Sequence, residues 1–261
     1  MNVYVDTCVL PRCRMETAKI YRERFGSRLG FEFLPMFDMA EFEANLKENL
    51  DVFMECPLDF HEPVFCVEHT AKKGTIEYEE SMYHINLTKK YADILKPKSM
   101  VYHVNNGVVI PVKKDEMLAT SLENLEEMRD IFPDVDILVE NVGNAVQQNI
   151  LLDQAEFTDL CRDKKFGVVI DIGHANANSW DIYKLVDDLA SQVKIFHLHN
   201  NDGQNDQHRR ILDGTIDFPD LFGHILNKAP NADFVIEYVR PEYHGEQLME
   251  DIETVFKLME R

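Results

Sequence analysis

Short apolar segments alternate with longer amphipathic segments along the whole chain, and this alternation predicts its secondary structure. Eight short segments have the nearly continuous apolar character of strands buried in a parallel sheet. We place these predicted strands at residues 2–6, 31–34, 58–61, 99–103, 136–140, 166–171, 194–199 and 233–237. The stretches between them carry apolar residues at helical spacing. We place these predicted helices at residues 15–25, 39–50, 77–95, 117–131, 153–162, 180–189, 219–227 and 245–259.

Eight strands that alternate with eight helices predict an α/β protein with the (β/α)8, or TIM-barrel, fold. A doubly wound open sheet is the rival architecture, but no Gly-x-Gly-x-x-Gly motif follows the first strand. No linker, repeat or low-complexity segment divides the chain. We therefore expect residues 1–261 to form a single barrel domain.

An acidic or histidine side chain stands at the carboxyl end of six consecutive predicted strands. These residues are His61, His103, Glu140, Asp171, His199 and Glu237, and the loops after the sixth and seventh strands add His174, Asp206 and His208. In a closed barrel, the carboxyl ends of all strands face one common mouth. Carboxylates and imidazoles crowded there would be disfavoured without a cation, and this donor set suits zinc, manganese, cobalt or iron(II).

Other histidines are interpreted as structural. His197 lies two residues before His199 and shares its side of the strand, but a single strand histidine is more often a hydrogen-bonded structural residue than a ligand. His69, His84, His224 and His244 fall in predicted loops or helices. We therefore assign the ligand role on this strand to His199.

The charge balance argues against nucleic acid as a partner. The chain carries 27 Lys and Arg against 47 Asp and Glu, a formal net charge of -20. Such a surface repels phosphate backbones. No secretory signal and no apolar run of membrane-spanning length are visible, so we expect a cytoplasmic protein without a membrane partner. The five scattered cysteines fit a reducing compartment, and Cys8 and Cys13 are spaced unlike a zinc knuckle.

The residues at the strand ends resemble the xylose isomerase-like TIM-barrel superfamily over essentially the whole chain. The matching elements are Leu-Val-Glu140-Asn, Asp171-Ile-Gly-His174, His199-Asn-Asn-Asp202-Gly, Asp206-Gln-His208 and Ile236-Glu237. This superfamily contains sugar-phosphate isomerases and epimerases and the endonuclease IV branch. In its epimerases, residues matching Glu140, Asp171, His199 and Glu237 hold one divalent metal, commonly manganese or cobalt, and the match to His174 contacts substrate.

In the endonuclease IV branch, the same four positions are joined by matches to His61, His103, His174, Asp206 and His208, and together they hold three zinc ions. All nine residue types are present here. The resemblance therefore implies one divalent metal, and up to three. Many isomerase-like members also carry the His-x-Pro segment, here His61-Glu-Pro63, and the Asp-x-His pair.

The first functional hypothesis is a metal-dependent sugar or sugar-phosphate isomerase or epimerase. By resemblance, Glu140 and Glu237 would remove and return a proton from opposite faces of the substrate, and His174 would orient a hydroxyl. Glu32 is a further candidate for a hydroxyl contact. Candidates for contacts to a substrate phosphate are Lys72, Lys73, Arg209 and Arg210.

Two alternatives use the same frame. One is a trinuclear zinc phosphodiesterase of the endonuclease IV type, which the acidic charge disfavours. The other is a dehydratase acting on a keto-cyclitol, with the same metal and the same base. The sequence leaves open the substrate, the metal and the question of a homo-oligomer.

Overall fold

The eight apolar segments form eight parallel strands that close into a barrel, each pairing with the next and β1 with β8. This architecture comes from a computed structural model that describes residues 1–11, 14–39, 41–54 and 56–260. The strands are β1 Val3–Asp6, β2 Leu29–Phe33, β3 Leu58–Phe60, β4 Ser99–His103, β5 Asp136–Glu140, β6 Gly167–Asp171, β7 Val193–Leu198 and β8 Asp233–Ile236. The predicted TIM barrel is confirmed.

Helices connect the strands on the outside of the barrel, as right-handed β-α-β crossovers require. Within the described residues they are α1 Ala18–Phe25, α2 Phe42–Glu48, α3 Leu50–Met54, α4 Ile76–Leu95, α5 Lys114–Ile131, α6 Gln154–Lys164, α7 Ile172–Ala177, α8 Ile182–Leu189, α9 Phe218–Lys228 and α10 Glu246–Met259. Asp153 caps α6 through a capping box with Glu156, as its position before the helix predicts.

The apolar core has two parts. The larger part lies between the strands and the helices, where for example Phe196, Phe222 and Phe234 stack on one another. The smaller part fills the inside of the barrel with one side chain from each of six strands, namely Tyr4, Val101, Leu138, Val169, Ile195 and Val235. This filled interior forms an apolar floor beneath the mouth of the barrel.

Three predicted elements differ from the structure. The helix predicted at 39–50 is divided into α2 and α3, because Asn49 closes α2 with its backbone N–H on Leu46 and its side chain on the carbonyl of Asn45. Such local side-chain bonds compete with helix continuation. Residue 40 lies outside the described residues.

The second difference concerns His174, which was predicted in a loop and lies in the short helix α7. Asp171 begins this helix, because its Oδ1 accepts the backbone N–H of His174 at 2.5 Å. The next helix, α8, starts at Ile182 and not at Trp180, since Asp181 provides its N-cap. Cys13, and with it the predicted spacing to Cys8, lies outside the described residues.

None of the helices in the described ranges combines the length and apolar character that crossing a membrane requires.

The barrel interior gives a test of the fold. Leu138→Ala should lower the free energy of unfolding by about 2–5 kcal/mol, because it leaves a cavity in a closed apolar cluster. Val112→Ala, at a side chain that is 92% exposed, should change it by less than about 0.5 kcal/mol. Urea unfolding of both variants measures the difference, and equal midpoints would argue against this packing.

Candidate active site

The barrel brings all the predicted strand-end residues to one mouth. His103 ends β4 directly beside Glu140 of β5, and Asp171 of β6 pairs in register with His197 of β7. Glu237 directly follows β8. Neighbouring strands therefore place consecutive donors side by side around the rim, as parallel register requires.

Donor atoms that lie within 4.8 Å of one another form four overlapping groups. They are His61, His103 and Glu140; Glu140, Asp171 and His174; Asp171, His197 and Glu237; and His174, His199, Asp206 and His208. All nine residues named from the sequence as metal candidates belong to these groups. The structure adds His197, which we predicted to be structural.

Four histidines are oriented in the same way, each with Nδ1 bonded to a backbone or amide oxygen. The partners of Nδ1 are the carbonyl of Glu62 for His61 (2.9 Å), Oδ1 of Asn106 for His103 (2.8 Å), the carbonyl of Asn141 for His174 (3.1 Å) and the carbonyl of Glu237 for His208 (2.9 Å). Because these oxygens can only accept, Nδ1 carries a proton in each ring, and Nε2 is the nitrogen that faces the mouth and could bind a metal once it has lost its own proton. Metal-binding histidines are commonly held in this way.

The support of His103 shows how one such orientation is fixed. The side-chain nitrogen of Asn106 donates to Oε1 of Glu62 (2.7 Å) and to the carbonyl of Val67 (2.9 Å), so the amide oxygen must face His103. Glu62 is itself fully buried and bonded to His69 at 2.5 Å. Nε2 of His103 then lies 3.0 Å from Oε2 of Glu140.

Several buried donor atoms of the site lack a hydrogen-bond partner among the described residues. They are Oε1 of Glu140, Oε2 of Glu237, Nδ1 of His197, Nδ1 of His199 and Oδ1 of Asp206. Leaving a buried polar atom unsatisfied costs about 1–3 kcal/mol, and more when the group is charged. Oxygen and imidazole donors that converge without partners fit a divalent cation.

The electrostatics of the site indicate the same need for positive charge. Burial raises the pKa of both Glu140 and Glu237. The positive field of His197 outweighs burial at both, with help from His103 at Glu140 and from His208 at Glu237, so both pKa values lie well below the ordinary range. Burial lowers the pKa of His103, whereas Glu140 and Glu62 raise it to about 9. Protons on imidazoles thus balance the carboxylates, a charge that a bound cation would replace.

One donor group, which we call the outer group, lies on the rim of the mouth. It consists of His174, His199, Asp206 and His208. Oδ2 of Asp206 lies 3.3 Å from Nε2 of both His174 and His208, and the ring of His208 stacks on that of His199 at 3.8 Å. Burial lowers the pKa of His208, but Asp206 and Glu237 raise it to about 10. Asp206 is held by a loop that Arg210 and Tyr238 anchor to Asp251 of α10.

The ring of His199 lies so close to the backbone at position 173 that only a glycine fits there, between Asp171 and His174. A Cβ built on Gly173 would overlap the imidazole of His199, nearest to its Cε1. No larger residue fits between α7 and this ring without displacement. The close approach therefore fixes the place of His199, whose Nε2 is 3.0 Å from Oδ2 of Asp171.

On the opposite side of the barrel, Asp6 and Glu32 form a buried acidic pair. They are register partners, Asp6 as the last residue of β1 and Glu32 as the last but one of β2, and both are almost completely buried. Burial and the neighbouring Glu32 raise the pKa of Asp6 well above its ordinary value. Glu32 does not line the open cavity; its Oε2 lies 3.2 Å from Nε2 of His197.

A cavity of about 360 Å³ opens above the donor groups, a volume typical of small-molecule sites. Its polar lining outside the donor groups consists of the amides Asn105, Asn106, Gln147 and Asn149, and its apolar lining includes Leu34, Val64, Phe65, Val142 and Val239. Val64 and Phe65 belong to the loop between β3 and α4. Among the described residues, no lysine or arginine lines this cavity.

Three of the four cations predicted as phosphate contacts are bound to carboxylates elsewhere. Lys72 pairs with Glu116, and Lys73 pairs with Glu127 at 3.0 Å. Arg210 makes a partly buried pair with Asp251 at 2.8 Å. Arg209 extends from the short antiparallel bridge to Asn200.

Sequence reasoning missed the residues that hold the donors in place. Glu62, Asn106 and Asn141 are amide or acid neighbours of strand-end residues, and Asp6 ends the first strand. Asp6 could have been found by the same strand-end rule that found the others. The bonds of Asn106 depend on how the loop folds back, which no local pattern encodes.

Comparison with known proteins gives one family match. Residues 29–258 match the family model described as xylose isomerase-like TIM barrel. A D-tagatose 3-epimerase-like protein of known structure aligns over 100% of this chain and 97% of its own, with a TM-score of 0.76 and 19% identity. Endonuclease IV from Thermus thermophilus aligns over 100% and 99%, with a TM-score of 0.66 and 16% identity. At such identities, the likeness to these structures shows a shared fold.

A curated relative matches part of the chain. An uncharacterised protein of Methanocaldococcus jannaschii is 29% identical over 112 residues, which is 40% of this chain and 37% of that protein. The chain thus matches little more than a third of the length of this relative.

Gly173 provides a test of the site geometry. Gly173→Ala should lower the affinity for Zn²⁺ by at least about tenfold, because the added methyl group displaces His199. Gly223→Ala is the matched control: this glycine lies in α9 and a Cβ there would meet nothing within 4 Å. The control should bind Zn²⁺ normally and unfold at the same or a slightly higher temperature. Equal Zn²⁺ affinity in both variants, measured against a chromophoric chelator, would contradict the placement of His199.

Proposed function

We propose that this chain, which belongs to the xylose isomerase-like TIM-barrel family, is a divalent-metal-dependent sugar isomerase or epimerase. The observation that carries the proposal is the pair of buried carboxylates Glu140 and Glu237 beneath a small, amide-lined cavity. Glu140 ends β5 and Glu237 follows β8, three strands further around the barrel, so the two carboxylates stand on different sides of the mouth, and Glu237 also lines the cavity.

The donor set would hold the metal. Glu140, Asp171 and Glu237 supply carboxylate oxygens. His199 is the imidazole that the resemblance assigns to the same ion, whereas the structure groups His197 with Asp171 and Glu237 and groups His199 with His174, Asp206 and His208. A bound divalent cation would polarise a substrate carbonyl and stabilise the negative charge that develops on neighbouring oxygens. Imidazole and carboxylate donors suit zinc, manganese, cobalt or iron(II), and the proposal does not depend on which of them is bound.

The two glutamates would exchange a proton with the substrate. A carboxylate that binds a metal through one oxygen keeps lone pairs on its other oxygen, so each glutamate could still accept a proton. Their low pKa values keep both ionised at neutral pH, as a group that removes a proton requires. A second carboxylate on the other side can then return a proton to the same carbon.

The remaining lining would bind hydroxyl groups. His174 is oriented by Asn141 and lines the cavity, where it can hydrogen-bond a substrate hydroxyl. Asn105, Gln147 and Asn149 offer both donors and acceptors, which suits the hydroxyls of a sugar. Because the described lining contains no lysine or arginine, a neutral sugar fits this cavity better than a sugar phosphate.

The proposal predicts exchange of a carbon-bound hydrogen with solvent. With Mn²⁺ or Co²⁺ added, the wild-type protein should incorporate deuterium from D2O into at least one ketose of a panel, as observed by NMR. Glu237→Gln should reduce this rate by at least about 10²-fold, because it removes one of the two proton acceptors. Metal content should be measured in the same sample, so that loss of the ion is distinguished from loss of the base.

Glu242→Gln is the matched control, the same substitution five residues later at an exposed side chain. It should exchange at the wild-type rate. A metal-loaded wild-type protein that exchanges no ketose, or a Glu237→Gln variant that exchanges at full rate, would contradict the proposal.

A phosphodiesterase of the endonuclease IV type is the second candidate. The outer group favours it, because His174, Asp206 and His208 could hold a second ion in addition to an ion bound by Glu140, Asp171 and Glu237. The net charge of -20 disfavours it.

Abasic duplex DNA tests this second candidate. The phosphodiesterase requires binding at low salt that weakens steeply as salt rises. We expect no binding and no strand cleavage by the zinc-loaded protein at low salt. Cleavage with about three zinc ions bound per chain would instead establish the phosphodiesterase.

A further inference from the structure

The loop between β8 and α10, residues 237–245, forms one side of the cavity through Glu237 and Val239. The beginning of this loop is held firmly, because the buried Tyr238 donates its hydroxyl to Oδ2 of Asp251 at 3.0 Å. The middle of the loop is a single 3-10 turn, Pro241–Tyr243, that contains no buried residue. The position of the loop therefore depends also on how its far end is attached.

Tyr21 of α1 attaches the far end of the loop through two hydrogen bonds. Its hydroxyl oxygen accepts the backbone N–H of Gly245 at 2.8 Å, and the same hydroxyl lies 2.6 Å from Nδ1 of His244. The rings of Tyr21 and His244 meet edge to face, with their centroids 5.5 Å apart. Gly245 has a φ of 90°, in the left-handed region that favours glycine, so the turn that brings its N–H to Tyr21 needs this residue.

The direction of these bonds fixes the protonation state of His244. A backbone N–H can only donate, so the oxygen of Tyr21 accepts from Gly245, and its one hydrogen is left for Nδ1 of His244. Tyr21 is fully buried, and burial raises its pKa to about 12, so it keeps this hydrogen at neutral and acidic pH. His244 therefore accepts at Nδ1 and is neutral, with its own hydrogen on Nε2.

A second proton on His244 would break this arrangement. An imidazolium ring carries an N–H at both nitrogens, so Nδ1 could no longer accept the hydroxyl hydrogen of Tyr21. That hydrogen would then have no acceptor among the described residues, although the tyrosine is buried. A buried donor without a partner is unfavourable, so protonation opposes the contact between α1 and the loop.

The surroundings of His244 offer no negative charge that would hold such a proton in place. Within the described part of the chain, burial is what shifts its pKa, and it lowers it. The turn Thr7–Val9, which packs on this loop, has no charged side chain. On α1, Arg22 donates to the carbonyl of Val52 and Arg24 pairs with Glu253. The titratable groups nearest in the fold or the sequence are Tyr21, Glu242, Tyr243 and Glu246.

We propose that Tyr21 and His244 form a pH-sensitive anchor, which holds the far end of this loop on α1 while His244 is neutral and releases it when His244 takes up a proton. Histidine in an unfolded chain has a pKa of about 6.5, and burial lowers the pKa of His244 in the fold. The stabilisation is therefore complete above about pH 6.5 and is lost as the pH falls through the lower, folded value. Release would loosen the loop whose other end carries Val239 of the cavity wall. The inference depends neither on a metal nor on the reaction.

The test is hydrogen exchange of the full chain, measured by NMR at about pH 7.5 and about pH 5, on either side of the range in which histidine titrates. Each rate is divided by the intrinsic exchange rate at the same pH. The amide of Gly245 reports the anchor directly, and its protection in the wild type should fall at least about threefold to tenfold at the lower pH. The amides of β8 are the internal reference, because global unfolding would expose them as well.

His244→Asn is the sharpest variant. Its side-chain oxygen can accept the hydroxyl of Tyr21 from the place of Nδ1 but does not titrate, so the protection of Gly245 should be the same at both pH values. Tyr21→Phe removes the anchor and should leave Gly245 weakly protected at both. His84→Asn is the matched control, at a histidine of α4 whose Nδ1 has no hydrogen-bond partner among the described residues, and it should keep the wild-type response.

A wild-type protein in which Gly245 is equally protected at both pH values would overturn the proposal. So would a His244→Asn variant that loses protection at low pH as the wild type does. If Tyr21→Phe does not fold, the wild type and His244→Asn decide the question. Nitrogen NMR of the wild-type imidazole gives an independent check: the hydrogen should be on Nε2 at about pH 7.5, and a hydrogen on Nδ1 would contradict the anchor.

Discussion

The arrangement of side chains at the mouth of the barrel depends on how the negative charge of its buried carboxylates is compensated. Glu140, Asp171 and Glu237 are buried together above an apolar floor, where ionised groups are costly unless opposite charge compensates them. The surrounding histidines supply part of that charge, yet two glutamate oxygens and two imidazole nitrogens still lack partners among the described residues. A divalent cation would satisfy the two glutamate oxygens, which is why the metal is central to the proposed function.

The barrel holds these charged side chains in fixed positions close to one another. Glu140, Asp171 and Glu237 stand at the ends of three different strands, so the closed hydrogen-bonded sheet fixes the places of these carboxylates. A layer of supporting bonds then orients each ring: Asn106 and Glu62 hold His103, and Gly173 leaves room for His199. These supports set the direction of each lone pair, and metal affinity depends on that direction as much as on the ligands themselves.

The fold and most of the donor set were predictable from sequence, because both follow from simple periodicities. Eight apolar segments predicted the barrel, and the residues at the ends of the third to eighth strands predicted the candidate donors from His61 to Glu237. His197 was the main exception. Its spacing of two from His199 showed a shared face, but only the closed barrel reveals that this face lies among three carboxylates, with Glu32 behind the ring. His174 was placed in a loop because Asp171 acts both as a strand end and as a helix cap.

The most direct test of the account is the metal content of the protein, purified without added metal or chelator and measured by mass spectrometry. The account predicts at least about one equivalent of manganese, cobalt, iron or zinc per folded chain, since the unpartnered donors are aligned for a cation. Protein that is folded but contains less than about a tenth of an equivalent, and takes up none of these ions when they are supplied, would contradict it.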